Sequence, residues 1–258
     1  MSPIGVFDSG FGGLTVLRSI RELMPQYDYI YLGDNARAPY GVLDFDTVHE
    51  YTLQAVKQLF SMDCPLVILA CNTASAKALR TIQQRYIATE CPEKRVLGVI
   101  RPTAEVVGRL TKSGHIGILA TPGTIKSESY VLEIRKLFPE CHVTGLACPA
   151  WVPLVEAGKC HTDEARREVK IRIDELISMD RDIDCIILGC THYPLLLDAI
   201  LEACPRHIRV MSQGSYVAES LKDYFVRHTD MEQRISKGGT CTFYSTGNVE
   251  NWNKITLI

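Results

Sequence analysis

Val67-Ile68-Leu69-Ala70-Cys71-Asn72-Thr73 and Ile186-Ile187-Leu188-Gly189-Cys190-Thr191-His192 follow one pattern: an apolar run, a small residue, a cysteine, then two polar residues. An unbroken apolar run has no polar face, so it suits a strand buried on both sides within a parallel sheet. The polar pair marks where the strand stops and a helix opens. A second pair of matching runs, Ile4-Gly5-Val6-Phe7-Asp8-Ser9 and Ile116-Gly117-Ile118-Leu119-Ala120-Thr121, recurs at a similar offset. Two matches at similar offsets predict two related α/β halves, each about 100 residues long.

Working outward, strand-like runs fall at 4–7, 29–32, 66–70, 96–100, 116–120, 142–145, 183–188 and 208–211. Helical periodicity falls between them, at 15–23, 47–60, 160–179 and 215–226. Such alternation implies α/β layers with ligands at the carboxyl ends of the strands. The expected fold is two pseudo-symmetric flavodoxin-like domains with parallel sheets and an active site in the cleft between them. The first domain is expected at 1–98 plus 208–258 and the second at 99–207. The tail, with its strand Cys241–Ser245, is expected to pack back on the first half.

Composition narrows the function classes. The 258 residues are 46% hydrophobic and 22% charged, ordinary globular proportions, and the net charge of −2 offers no footprint for nucleic acid or anionic membrane. No apolar run reaches the roughly 18 residues needed to span a bilayer, and Met1-Ser2-Pro3 does not open a signal peptide, so the expected compartment is the cytoplasm. Ten cysteines without a C-x-x-C pair read as core residues in a chain too long to need disulfide staples.

Cys71 and Cys190 stand apart from the other eight. A lone buried cysteine is ordinarily inert, but two in the same strand-end context are not easily explained that way. At a helix start, unpaired amides and the macrodipole favour a thiolate and also bind carboxylates. His192, two residues beyond Cys190, can hold a proton. Asp8-Ser9-Gly10-Phe11-Gly12-Gly13 makes a tight turn but lacks the spacing of a dinucleotide fingerprint, and Asp8 suits a helix cap and a functional role equally. Glu156, just before Gly158, reads on its own as a surface helix residue near a glycine cap. Cys190 and His192 lack the further ligands of a metal site, so no metal is expected. A Cys–His–Asp hydrolase would leave Cys71 unexplained. Two thiols facing each other meet the demand of racemisation, which needs a base on one face of an α-carbon and an acid on the other.

The motifs Ile4 to Gly10, Gly33-Asp34 through Tyr40-Gly41, Ala70-Cys71-Asn72-Thr73, Gly123-Thr124-Ile125-Lys126-Ser127, Cys148-Pro149 through Gly158, and Leu188-Gly189-Cys190-Thr191-His192 resemble the glutamate racemases of the aspartate/glutamate racemase family. The resemblance covers nearly the whole chain, up to the last 30 or so residues. It implies a pyridoxal-free isomerase with no cofactor, acting on glutamate and supplying D-glutamate for peptidoglycan. It implies Cys71 and Cys190 as the base pair, the first serving the D-enantiomer and the second the L-enantiomer, with Asp8 and His192 tuning them. Substrate contacts are implied for Asp8, Ser9, Tyr40, Gly41, Asn72, Thr73, Thr191 and His192, with Thr121, Thr124 and Glu156 at further pocket positions. The implied partner is a small molecule, and a homodimer is compatible with the reading. An aspartate racemase of the same family and an inactive amino-acid-binding relative are the alternatives. Phe11, Asn35 and Arg101 depart from the family pattern, at the cleft rim and the domain contact.

Overall fold

Every unbroken apolar run becomes a strand. In a computed structural model describing residues 2–247, β1 (Ile4–Asp8), β2 (Tyr29–Gly33), β3 (Leu66–Leu69), β4 (Arg95–Gly98) and β9 (Cys241–Ser245) form one parallel sheet. A second parallel sheet holds β5 (His115–Ala120), β6 (His142–Ala147), β7 (Cys185–Gly189) and β8 (Arg209–Met211). All residues of β1, β3 and β7 are buried, as both-face burial requires.

The repeat is visible in the strand order. The first sheet runs β4-β3-β1-β2-β9 and the second β8-β7-β5-β6, so the cysteine-bearing strand of each half lies between its opening strand and an edge strand. Register places Leu69 opposite Phe7, and Gly189 opposite Ala120, so each cysteine emerges level with the first residue past the neighbouring strand, Ser9 for Cys71 and Thr121 for Cys190. β9 is the one strand of the first sheet without a counterpart, and it pairs along all of β2.

One expected boundary needs correction. Residues 208–211, expected in the first half, lie in the second, where β8 pairs with β7 and is the counterpart of β4. The chain returns to the first half only after Met211, in the helix Gly214–Arg227, which packs Val217, Ala218 and Leu221 into the same core as Leu14, Leu17 and Ile20 of the helix Leu14–Leu23. Residues 248–258, also expected in the first half, lie outside the described residues.

The return of the tail is fastened by Asp28. Its carboxylate accepts hydrogen bonds from the amides of Gly238 (3.1 Å) and Thr240 (2.8 Å) and from the Thr240 hydroxyl (2.6 Å). Hydrogen bonds from Ser236 and Thr240 hold its pKa down to about 2. A carboxyl depressed on folding contributes stability above its unfolded value, near 4, and loses it as pH falls toward about 2. Urea unfolding between pH 7 and pH 2.5 should therefore show an acid-side loss that Asp28→Asn flattens. An unchanged slope in the variant would refute the clip.

Candidate active site

The carboxyl ends of β1 and β3 face those of β5 and β7. Thr73 Oγ1 lies 3.0 Å from Thr121 Oγ1, Thr191 Oγ1 donates to Asp8 Oδ1 at 3.3 Å, and Thr15 Oγ1 donates to the Thr191 carbonyl at 3.0 Å. Between them is a cavity of about 20 Å³ lined by Ser9, Tyr40, Gly41, Cys71, Asn72, Thr73, Thr121, Glu156, Cys190, Thr191 and His192, with Pro39 and Val152. The expected site residues converge there apart from Asp8 and Thr124, which sit one contact behind, on Thr191 and on Thr121 and Thr73.

Cys71 caps the helix Asn72–Lys77: its Sγ accepts from the Ala74 amide at 3.4 Å and lies 3.5 Å from Ser9 Oγ. The expectation of a readily formed thiolate fails here. Burial first, and the charge of Asp8 second, push the Cys71 thiol up to about 12, against the lowering pull of Ser9 and the Ala74 amide. At Cys190 the expected helix start is absent. The chain makes a turn and a short 3₁₀ segment, Tyr193–Leu196 with Pro194 near its start, before the helix Leu197–Ala203 begins. The macrodipole argument therefore holds for Cys71 alone.

Cys190 has a cation instead. Its Sγ lies 3.8 Å from His192 Nδ1, and His192 Nε2 stands 3.3 Å from Glu156 Oε1. That second contact is an ion-pair distance without hydrogen-bond alignment, since Nε2 has no hydrogen-bonding partner of good geometry. Burial disfavours the charged ring, but the contacts with Cys190 and Glu156 and the charges of Cys190 and Asp8 outweigh it, raising His192 to about 10. Glu156 thus lines the cavity beside His192, 30% exposed, and is not the surface residue its local sequence suggests. The family resemblance points to it, and the contact across the fold gives the physical reason. The glycine cap read beside it is real, for Gly158 has φ +72°.

Two glycines make the approach possible. A Cβ on Gly12 would meet His192 Nδ1 at 2.5 Å and Thr191 Oγ1 at 2.6 Å, and one on Gly41 would meet Thr121 Cβ at 2.7 Å. Asp8 is fully buried with Oδ2 accepting from the Gly10 amide at 3.0 Å. Burial raises its pKa, while His192 and the Gly10 amide pull it down. It caps its own turn and not the helix Leu14–Leu23, which has no side-chain cap.

Several expected binding groups already have protein partners. The Tyr40 hydroxyl donates to Asp34, whose carboxylate also pairs with Arg37 at 2.7 Å, and burial followed by Asp34 raises the phenol far above its ordinary range. The hydroxyls of Thr73, Thr121 and Thr124 form a cluster with contacts of 3.0–3.3 Å. Asn72 is held through both its amide atoms by Gln213 and Tyr130, neither of which sequence patterns single out. Of the departures, Phe11 is buried with its ring 5.0 Å from that of His192, Asn35 accepts from Ser245, and Arg101 pairs with Glu105 on the surface.

Among the described residues, the group able to hold a metal ion is His115, Asp180 and Asp182, at the opposite end of the second sheet. Asp180 there is already engaged by His115 at 2.9 Å and by Thr144 at 3.3 Å, a structural ion pair.

Comparison with known proteins agrees with this geometry. The family model for Asp/Glu/Hydantoin racemase matches residues 4–218. A glutamate racemase of Dinoroseobacter shibae is 39% identical over 255 residues, covering 95% of this chain and 90% of that protein. The crystal structure of the glutamate racemase isoform RacE1 from Bacillus anthracis superposes with a TM-score of 0.87 at 33% identity, covering 97% of this chain and 91% of that one. The glutamate racemase of Francisella tularensis, solved in complex with D-glutamate, superposes with a TM-score of 0.83 at 31% identity, covering 97% and 90%. The chain belongs to the Asp/Glu/Hydantoin racemase family and is an amino-acid racemase.

Proposed function

We propose that the chain interconverts L- and D-glutamate without a cofactor, using Cys71 and Cys190 as its two bases. The observation that carries the reading is a pair of cysteines lining one small cavity from opposite halves, each with its own polar partners. One sulfur, as thiolate, removes the α-proton. The electron pair stays on the α-carbon as a carbanion, and the other sulfur, as thiol, delivers its proton to the opposite face. Reversal exchanges the roles. His192 keeps a proton beside Cys190, and the charge of Asp8 governs how readily Cys71 ionises. Amides at the helix starts after Cys71 and Thr121, with the threonine hydroxyls, are donors for the substrate carboxylates.

A cavity of about 20 Å³ has room for little more than one water. Substrate entry therefore requires the halves to part, and we assign the parting bodies to residues 2–98 with 212–247 and to residues 99–211. The D-glutamate formed serves peptidoglycan synthesis in the cytoplasm. No helix among the described residues is long and apolar enough to cross a membrane.

In D₂O, sampled early, either enantiomer of glutamate should yield product bearing solvent deuterium while unreacted substrate stays protiated. Substrate proton returned to product would indicate a single swinging base. Cys71→Ser and Cys190→Ser should each abolish racemisation, because a hydroxyl is too weak an acid to replace a thiol, and substantial turnover by either sinks the two-thiol reading. D-Aspartate in the same optical assay should be turned over far more slowly than D-glutamate.

Asp8→Asn and His192→Asn should lower kcat by about 10²–10⁴-fold, as loss of general acid–base support does. A rise in KM alone would make them binding groups only. Limiting iodoacetamide should label Cys190, beside its imidazolium, before Cys71, whose thiol is pushed up to about 12, and glutamate should protect both. First labelling at the other eight cysteines would contradict the assignment.

A further inference from the structure

The chain crosses between the two sheets twice, at 98–100 after β4 and at 211–214 after β8. Both crossings meet at one buried ring of hydrogen bonds. Asn72 Nδ2 donates to Gln213 Oε1 at 2.6 Å, Gln213 Nε2 donates to the Tyr130 hydroxyl, and that hydroxyl donates to Asn72 Oδ1 at 2.6 Å. Gln213 Nε2 also donates to Thr103 Oγ1 at 2.9 Å, and the Thr103 hydroxyl donates to the Val99 carbonyl at 2.9 Å.

The direction of the ring is set by chemistry. The Val99 carbonyl, 3.3 Å from Gln213 Nε2, can only accept, so the amide nitrogen must face it and the amide oxygen must face Asn72. Each hydroxyl then spends its single proton once. Asn72, Tyr130, Thr103 and Gln213 are all at most 3% exposed, where an unmade hydrogen bond is costly and a closed ring reinforces each member.

We propose that Gln213 is a positioning residue for Cys71. Asn72 directly follows the thiol and opens the helix that Cys71 caps, so fixing the Asn72 side chain fixes the backbone carrying Sγ. The other ends of the ring belong to the second half (Thr103, Tyr130) and to the return crossing (Gln213). The aim of one thiol is thereby tied to the relative placement of the halves. Cys190 makes no hydrogen bond to this ring among the described residues: its hydrogen-bonding partner is His192, and Tyr130 reaches it only through space, as a neighbouring charge. Gln213 acts through Asn72 and touches no reacting atom.

This inference rests on the two-thiol reading, and its test separates the two. The test uses Gln213→Met, which keeps the length of the side chain and removes its hydrogen bonds, and Tyr130→Phe, which opens the ring from the other side without changing shape. Because a racemase has an equilibrium constant of one, kcat/KM must fall equally in both directions. A misaimed thiol predicts a drop of about tenfold or more, carried by kcat. The discriminating readout is the rate of iodoacetamide labelling at each cysteine, resolved by mass spectrometry. The expected result is a severalfold change at Cys71 with Cys190 unmoved, in whichever of the two variants retains the wild-type circular dichroism spectrum. Equal changes at both cysteines, a change confined to Cys190, or unchanged labelling would overturn the proposal. If the wild type fails to racemise glutamate, the functional reading falls, while the labelling ratio still reports on Gln213.

Discussion

The site depends on how closely the turn after β1 approaches the turn after β7. Gly12 permits that approach, because any side chain there would collide with the imidazole of His192. With the turns in contact, His192 is enclosed by Cys190, Glu156 and the ring of Phe11, and Thr191 reaches Asp8 across the cleft. One missing β-carbon thus brings a buried acid, a buried base and a thiol within reach of one another. The dense glycines of this turn serve contact between halves, where a nucleotide-binding loop would use them to approach phosphate.

Burial then decides which thiols react. Cys64 and Cys185 are pushed up to about 12 by desolvation, which outweighs the opposing charges of Lys94 and Arg209. Cys71 is equally raised, yet it has Ser9 and a helix-end amide in place to receive a developing negative charge. Cys190 borders a histidine that stays protonated to about 10. Low dielectric disfavours a buried thiolate wherever it stands, so local donors confer selectivity that sulfur content alone does not.

Much of this was legible in the sequence because strands buried on both faces leave unbroken apolar runs, and because the two halves repeat them. The cysteines could be singled out for the same reason. What could not be read depends on pairs of residues far apart in the chain. Glu156 reads locally as a helix-surface residue, and only the family resemblance puts it at the pocket before His192 is seen beside it, while Gln213 carries no periodic signal at all. β8, with three residues, is too short to declare which sheet it joins. The geometry after Cys190 is not legible in sequence because polar residues after a strand look alike whether they begin a helix or a turn followed by Pro194.

The return of the chain after β8 has a consequence for how the protein is made. The strands β1 to β4 are synthesised before the second half, but the part of the helix Leu14–Leu23 that packs on Val217, Ala218 and Leu221 stays uncovered until residues 214–227 follow. β2 likewise presents an unpaired edge until β9 is synthesised. The second sheet, by contrast, is built from one continuous stretch and can close as soon as β8 appears. The first half therefore stays incomplete, with part of its core and one sheet edge uncovered, until the second half has been synthesised.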